Sequence, residues 1–164
     1  MVARTAILLA GALALAACSP ADTADTTTTT DTEGVAPAAG VSDIAADDAD
    51  RAAILAAVDT TLSEQVGSEV AIQPEIMRRE EDAWAFVYGP VRHPDGSEIE
   101  WSTTLLAEPA SEGMMDGDLG IVLLNWADNG WRVVETAIGP TDVPQAGWPD
   151  EHHFSPALVG QEGG

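Results

Sequence analysis

Leu55, Val58, Leu62 and Val66 fall at i, i+3, i+7 and i+11, an apolar stripe at helical spacing that Ile54 widens. Asp47 and Asp48 offer N-cap oxygens, and Asp50 places negative charge in the first turn. Gly67 suits the left-handed residue that ends a helix. The pattern predicts an amphipathic helix over residues 48–66. Beyond Gly67 the period shortens to two. Val70, Ile72 and Ile76 form a β-like run broken by Pro74, which points to an edge strand or a bulge. Trp84, Phe86 and Tyr88 share one face of a strand over residues 83–91. Arg78 to Asp82 reads as a solvated turn before it, and His93-Pro94-Asp95-Gly96 as a turn after it. Residues 99–107 are apolar enough for a further strand, and residues 108–117 are loop-like.

The clearest hairpin joins residues 119–126 to residues 131–138. With Asn129-Gly130 at the centre of a type I′ turn, Trp126 lies opposite Val133, Leu124 opposite Glu135 and Leu123 opposite Thr136. Apolar residues occupy both faces of this hairpin, so it belongs in the middle of the sheet, covered on both sides. One N-terminal helix followed by four to five antiparallel strands predicts an α+β domain over residues 48–159, the helix packed on a curved sheet. That arrangement is similar to the cystatin-like and NTF2-like superfold, which hosts many functions.

The residues before the domain follow another pattern. Ala6 to Ala17 is uncharged and apolar but well short of the about 20 residues that span a bilayer. Arg4 precedes it, and Leu15-Ala16-Ala17-Cys18 ends it. This four-residue ending resembles the lipobox of bacterial lipoproteins. The resemblance implies that residues 1–17 are a signal peptide cleaved before Cys18. The Cys18 sulfur then carries a diacylglycerol, and its new amino group takes a further acyl chain such as palmitate. Two or three acyl chains, at about 0.8 kcal/mol per buried methylene, hold a chain to a membrane essentially permanently. In Gram-negative bacteria, by the same resemblance, an Asp after the cysteine favours the inner membrane. Ser19 stands there, which favours the periplasmic face of the outer membrane. Residues 18–47 then read as a tether: a Thr26–Thr30 run, Pro20, Pro37, two glycines, six acids and little apolar beyond alanine. Residues 160–164 read as a disordered tail.

Composition narrows the function classes. The 164 residues carry 28 Asp+Glu against 6 Lys+Arg, a formal net charge of −22, and every basic residue is an arginine. Such a surface excludes nucleic acid, whose affinity rests on cationic neutralisation of phosphates. It also excludes electrostatic binding to anionic lipid. The single cysteine permits no intrachain disulfide and sits where the lipobox requires it. Arg4 leaves with the signal while every carboxylate stays, and most of these lie after Arg51, so the domain is itself acidic.

Three further stretches, Asp82-Ala83-Trp84-Ala85-Phe86, Asn129-Gly130-Trp131-Arg132-Val133 and Ile138-Gly139-Pro140-Thr141-Asp142-Val143 with Trp148, resemble a set of small secreted bacterial proteins. Their shared pattern is W-x-F, G-W-x-V, I-G-P-T-D-V and a later Trp. The resemblance covers residues 50–156 and brings no catalytic residue and no cofactor. Physically, Gly139-Pro140 ends a strand and Trp148 packs the tail back on the sheet.

Other candidate chemistry is sparse. Asp150-Glu151-His152-His153 offers imidazole and carboxylate of the kind that suits Zn²⁺ or Ni²⁺, against a reading as a solvated tail. Asp116-Gly117-Asp118 opens like a calcium loop, but position 12 is Ala127 rather than the required Glu. Ser102, Ser111 and Ser155 lie in no nucleophile elbow, and His93 sits in a turn. Of the five tryptophans, Trp101 and Trp148 are the least constrained and the candidates for ligand contact. Glu135 is an anomaly among apolar neighbours, to be paired with Arg132, Arg78 or Arg79 or placed at a rim. The only site residue assigned is Cys18, for lipid. The expected function is a lipid-anchored envelope protein presenting an acidic, non-enzymatic binding module. The alternative is an NTF2-like domain with a small-molecule or hydrolytic pocket between helix and sheet. The two differ in whether that space holds ionisable groups or is filled by aliphatic and Trp side chains.

Overall fold

The computed structural model describes residues 40–81 and 83–161. The lipobox, Cys18 and most of the expected tether lie outside these residues. Six strands form one antiparallel sheet: β1 (Val41–Asp43), β2 (Ala71–Ile72), β3 (Ile76–Glu80), β4 (Trp84–Arg92), β5 (Leu119–Ala127) and β6 (Gly130–Ile138). Their order is β1-β3-β4-β5-β6, with β2 also paired to β4. The helix α1 (Arg51–Val66) follows β1, and two short helices, α2 (Ala107–Ser111) and α3 (Trp148–His152), come later. Among the described residues, no helix is long and apolar enough to cross a membrane.

The class is α+β, but the sheet is larger than the four to five strands expected, and the helix is not its N-terminal element. Residues assigned to the tether form β1, so the fold begins at Val41 rather than Asp48. Val41 pairs with Glu80, Ser42 with Arg79 and Asp43 with Arg78. Val41 and Ile44 are both buried, and the Ile44 N–H donates to the Met77 carbonyl at 2.9 Å. Two isolated aliphatic residues in an acidic stretch carry too short a pattern to announce a strand, and the strand exists because β3 offers it an edge.

Ile54, Val58, Leu62 and Val66 bury one face of α1, and Gly67 ends the helix at φ 80° with its N–H on the Ser63 carbonyl. The N-terminus departs from expectation. Asp50 holds the cap position, but no side chain caps the helix. Asp48 accepts from the Asp50 N–H at 2.9 Å and pairs with Arg79 at 3.1 Å, and Asp50 meets the same guanidinium at 3.3 Å. The carboxylates meant for the helix therefore fasten it to β3.

Pro74 divides one long strand into β2 and β3, which both pair with β4. Proline cannot donate to the ladder, and the backbone closes around it: the Gln73 N–H donates to the Pro90 carbonyl and the Glu75 N–H to the Tyr88 carbonyl. Arg78 to Glu80, expected in a turn, belong to β3, and the turn follows at Glu81, whose φ is 44°. Residues 99–107 form no strand; Trp101–Thr103 is a 3-10 turn that leads into α2.

The β5–β6 hairpin turns one residue earlier than predicted. Asp128 and Asn129, at φ 52° and 64°, are its central residues, and Ala127 faces Gly130. Trp126 therefore meets Trp131, and Leu124 meets Val133. A bulge between Leu123 and Leu124 then leaves Val134 without a partner and sets Leu123 opposite Glu135. Moving the turn by one residue shifts the pairing by two and keeps the faces, whereas the bulge shifts it by one and reverses them for the second half of β6. The hairpin is covered on both faces, yet β6 lies at the end of the strand order and not in its middle.

The sheet separates two apolar clusters. On one face Val58, Leu62 and Val66 of α1 pack against Val87, Val122, Leu124 and Trp131. On the other, Trp148, Phe154, Leu158 and Val159 from the C-terminal segment pack on Phe86, Ile121 and Leu123, with Val41 of β1 joining them. The Trp148 expectation holds in its packing role, since the indole is buried. Gly160 and Gln161, expected in a disordered tail, are seated: the Gly160 N–H donates to the Ala157 carbonyl and the Gln161 amide to the Gln145 carbonyl.

Candidate functional site

The space between α1 and the sheet is closed by aliphatic side chains, and among the described residues no polar or charged residue is buried. Among the described residues, two of the places where polar groups converge bear on function.

The first lies where the C-terminal segment crosses β6. The bulge at Val134 turns Glu135 away from the α1 side and onto the face shared with Leu123. α3 is seated there by buried Trp148 and Pro149, and His153 closes it in the left-handed conformation, its N–H on the Pro149 carbonyl at 2.9 Å. His152 Nε2 then sits 3.1 Å from Glu135 Oε1, its side chain only 17% exposed. The Trp84 ring lies 5.8 Å from the imidazole and 5.5 Å from Phe154, so aromatic packing fixes the histidine. Glu151 adds a second carboxylate, and one ligand atom from each of Glu135, Glu151 and His152 lies within 4.8 Å of the others.

Glu135 was singled out in the sequence, but its partner is His152 rather than an arginine. The three arginines the sequence offered pair with aspartates: Arg132 with Asp128 at 2.7 Å, Arg78 with Asp43 at 3.3 Å, and Arg79 with Asp48 and Asp50. The four-residue run Asp150 to His153 does not act as a unit. Glu151 and His152 join Glu135, while Asp150 and His153 are outside the group.

The second place is an open cleft of about 610 Å³ at the C-terminal end of α1, lined by Asp59, Ser63, Glu64, Ser68, Glu69 and Pro94 among others. Asp59 Oδ1 accepts from the Ile72 N–H at 2.9 Å, which ties the helix to β2. Partial burial raises the Asp59 carboxyl above its ordinary value, and the Ile72 bond opposes this. A carboxyl raised by folding favours the folded state most when protonated, so its contribution falls as pH rises through the carboxylate range. Asp59→Asn keeps an acceptor for Ile72 without the charge. The variant should melt above the parent at pH 7, and the gap should close below the ordinary carboxylate value of 3.8; thermal unfolding followed by circular dichroism across pH 3–8 checks this.

The other candidates sit apart. His93 Nδ1 lies 3.3 Å from the Glu69 carbonyl in an exposed turn, and Asp95 accepts from the Ser97 hydroxyl and N–H, which lowers its pKa. Asp118 pairs with Arg92 across the strand end, so the Asp116-Gly117-Asp118 turn serves an ion pair. Ser102 and Ser111 donate to Glu100 and to the Glu108 carbonyl, and Ser155 gives its N–H to Glu80. The most exposed tryptophan is Trp126, at 46%, and neither Trp101 nor Trp148. It stands edge-on to Trp131, with ring centroids 5.4 Å apart. The bulge that aims Glu135 left no mark in the sequence.

Comparison with protein-family models, with curated proteins and with solved structures finds no match.

Proposed function

We propose that this chain is a lipid-anchored cell-envelope protein, held to the membrane through Cys18, that presents an acidic α+β domain as a non-enzymatic binding module. The observation that carries the reading is the filled space between α1 and the sheet. Ile54, Val58, Leu62, Val66, Val87, Val122 and Leu124 occupy it, all of them inaccessible to solvent. An NTF2-like pocket enzyme needs ionisable groups projecting into that space. The helix inserted after the first strand, with the long strands added in chain order, supports a cystatin-like arrangement of sheet and helix.

Charge supports a surface role. Arg51 donates to the Ile44 carbonyl, and Arg78, Arg79, Arg92 and Arg132 each pair with a nearby aspartate. The cations stitch elements together, and many of the other described carboxylates, such as Glu64, Glu98, Glu112 and Asp142, lie on the surface. Such a surface repels anionic lipid and favours cationic partners. By the lipobox resemblance, Ser19 places the module on the periplasmic face of the outer membrane in a Gram-negative cell.

Cys18→Ser tests the anchor. The full chain should sediment with membranes, and the variant should move to the soluble fraction with an unchanged melting curve. A variant that stays with the membranes would contradict the reading.

A further inference from the structure

We infer that Glu135, Glu151 and His152 form a binding site for one divalent transition-metal ion of the zinc class. The inference goes beyond the anchored-module reading and does not depend on it. Imidazole with two carboxylates is a donor set for Zn²⁺, Mn²⁺, Fe²⁺ or Ni²⁺, whereas Ca²⁺ and Mg²⁺ take oxygen alone.

The geometry is close to what an ion needs. Zinc bonds to His nitrogen and carboxylate oxygen run about 2.0–2.2 Å, so two donors on one tetrahedral ion lie about 3.3–3.6 Å apart. The three donor atoms already lie within 4.8 Å of one another. Rotation of the exposed Glu151 side chain, about its own side-chain torsions, brings its carboxylate within that distance. Neighbouring helix residues ordinarily diverge, but α3 ends at His152, and the Glu151 and His152 donor atoms still lie within 4.8 Å of each other.

The fold around the site holds its three residues in place. The β6 bulge presents Glu135 to α3, and bulges commonly re-aim a side chain beside a functional site. Trp84 packs against the His152 ring, and buried Trp148 and Pro149 fix the helix that carries it. The metal takes the place of the contact between His152 Nε2 and Glu135 Oε1. Three protein ligands leave one position of a tetrahedral site for water or for a donor from another molecule. A bound ion also joins the C-terminal segment to the sheet edge.

The test is calorimetric titration of the detergent-extracted full chain with Zn²⁺, in millimolar Mg²⁺ to occupy scattered surface carboxylates. One saturable equivalent per chain is expected. Losing a residue behind a metal ligand costs about 10–100-fold in affinity. Losing the ligand itself in His152→Ala should therefore cost at least about 100-fold, and Glu135→Gln and Glu151→Gln at least about 10-fold each. His93→Ala and His153→Ala should bind as the parent does. Metal-free melting curves establish that each variant is folded. If His152→Ala does not fold, exposed Glu151→Gln decides. Multiple weak equivalents displaced by Mg²⁺, or tight binding retained in folded His152→Ala or in Glu151→Gln, would overturn the proposal.

Discussion

Gly89→Ala should be among the most damaging single substitutions in the domain, at a cost of about 3–5 kcal/mol. Gly89 lies in β4 beneath the point where Pro74 interrupts the neighbouring strand. A Cβ added there would stand 2.1 Å from the Gln73 carbonyl oxygen and 3.0 Å from both the Gln73 carbonyl carbon and the Glu75 nitrogen. All three are backbone atoms, so no side chain can swing aside. Relief requires moving residues 73–75, which breaks the Gln73-to-Pro90 and Glu75-to-Tyr88 hydrogen bonds that flank the proline. Each such bond contributes about 0.5–1.5 kcal/mol net, on top of the overpacking itself. Gly130→Ala is the control, since a Cβ at that position meets no atom within 4 Å. Denaturant unfolding of both variants should show a large loss for Gly89→Ala and a small change for Gly130→Ala.

Removal of residues 19–46 should lower the melting temperature by about 10 °C, whereas removal of residues 19–39 should leave it nearly unchanged. The difference is β1. The longer deletion takes away Val41 and Ile44, both 4% exposed, and strips the edge of β3. Burial of such side chains contributes about 1.5–3 kcal/mol each and the β1–β3 backbone hydrogen bonds about 0.5–1.5 kcal/mol each, most of it offset by about 1–2 kcal/mol of backbone ordering for each residue fixed. It also removes Asp43 from Arg78 and the Ile44 carbonyl from Arg51, two partly exposed contacts of small individual worth. A net loss of about 2–3 kcal/mol, at roughly 3–5 °C per kcal/mol for a domain of this size, gives the expected shift. Equal melting temperatures for the two deletions would mean that β1 contributes no stability.

These two sites show where sequence reading reached its limit. The stripe Val58, Leu62, Val66 announces α1 because burial on one face of a helix imposes a period that chance seldom reproduces. Trp84, Phe86 and Tyr88 announce β4 for the same reason. β1 has two apolar residues and no period, so only its pairing partner reveals it. At the β5–β6 turn, Asp128, Asn129 and Gly130 all tolerate positive φ, and local chemistry allows two registers. Both registers put Trp131 on the α1 face, where it is buried, so the hydrophobic pattern does not separate them. The bulge at Val134 then reverses the faces of the second half of β6. The same bulge explains the site. Glu135 and His152 were each conspicuous in the sequence, but seventeen residues and a face reversal separate them. Nothing local connects a strand carboxylate to a helix that returns over the opposite side of the sheet.

The anchored-module account is tested most directly by the intact mass of the mature chain extracted from membranes. It predicts a polypeptide that begins at Cys18, lacks residues 1–17 and carries the added mass of a diacylglycerol, with or without a further acyl chain on the new amino group. A chain that retains residues 1–17, or that ends at an unmodified Cys18, would contradict it.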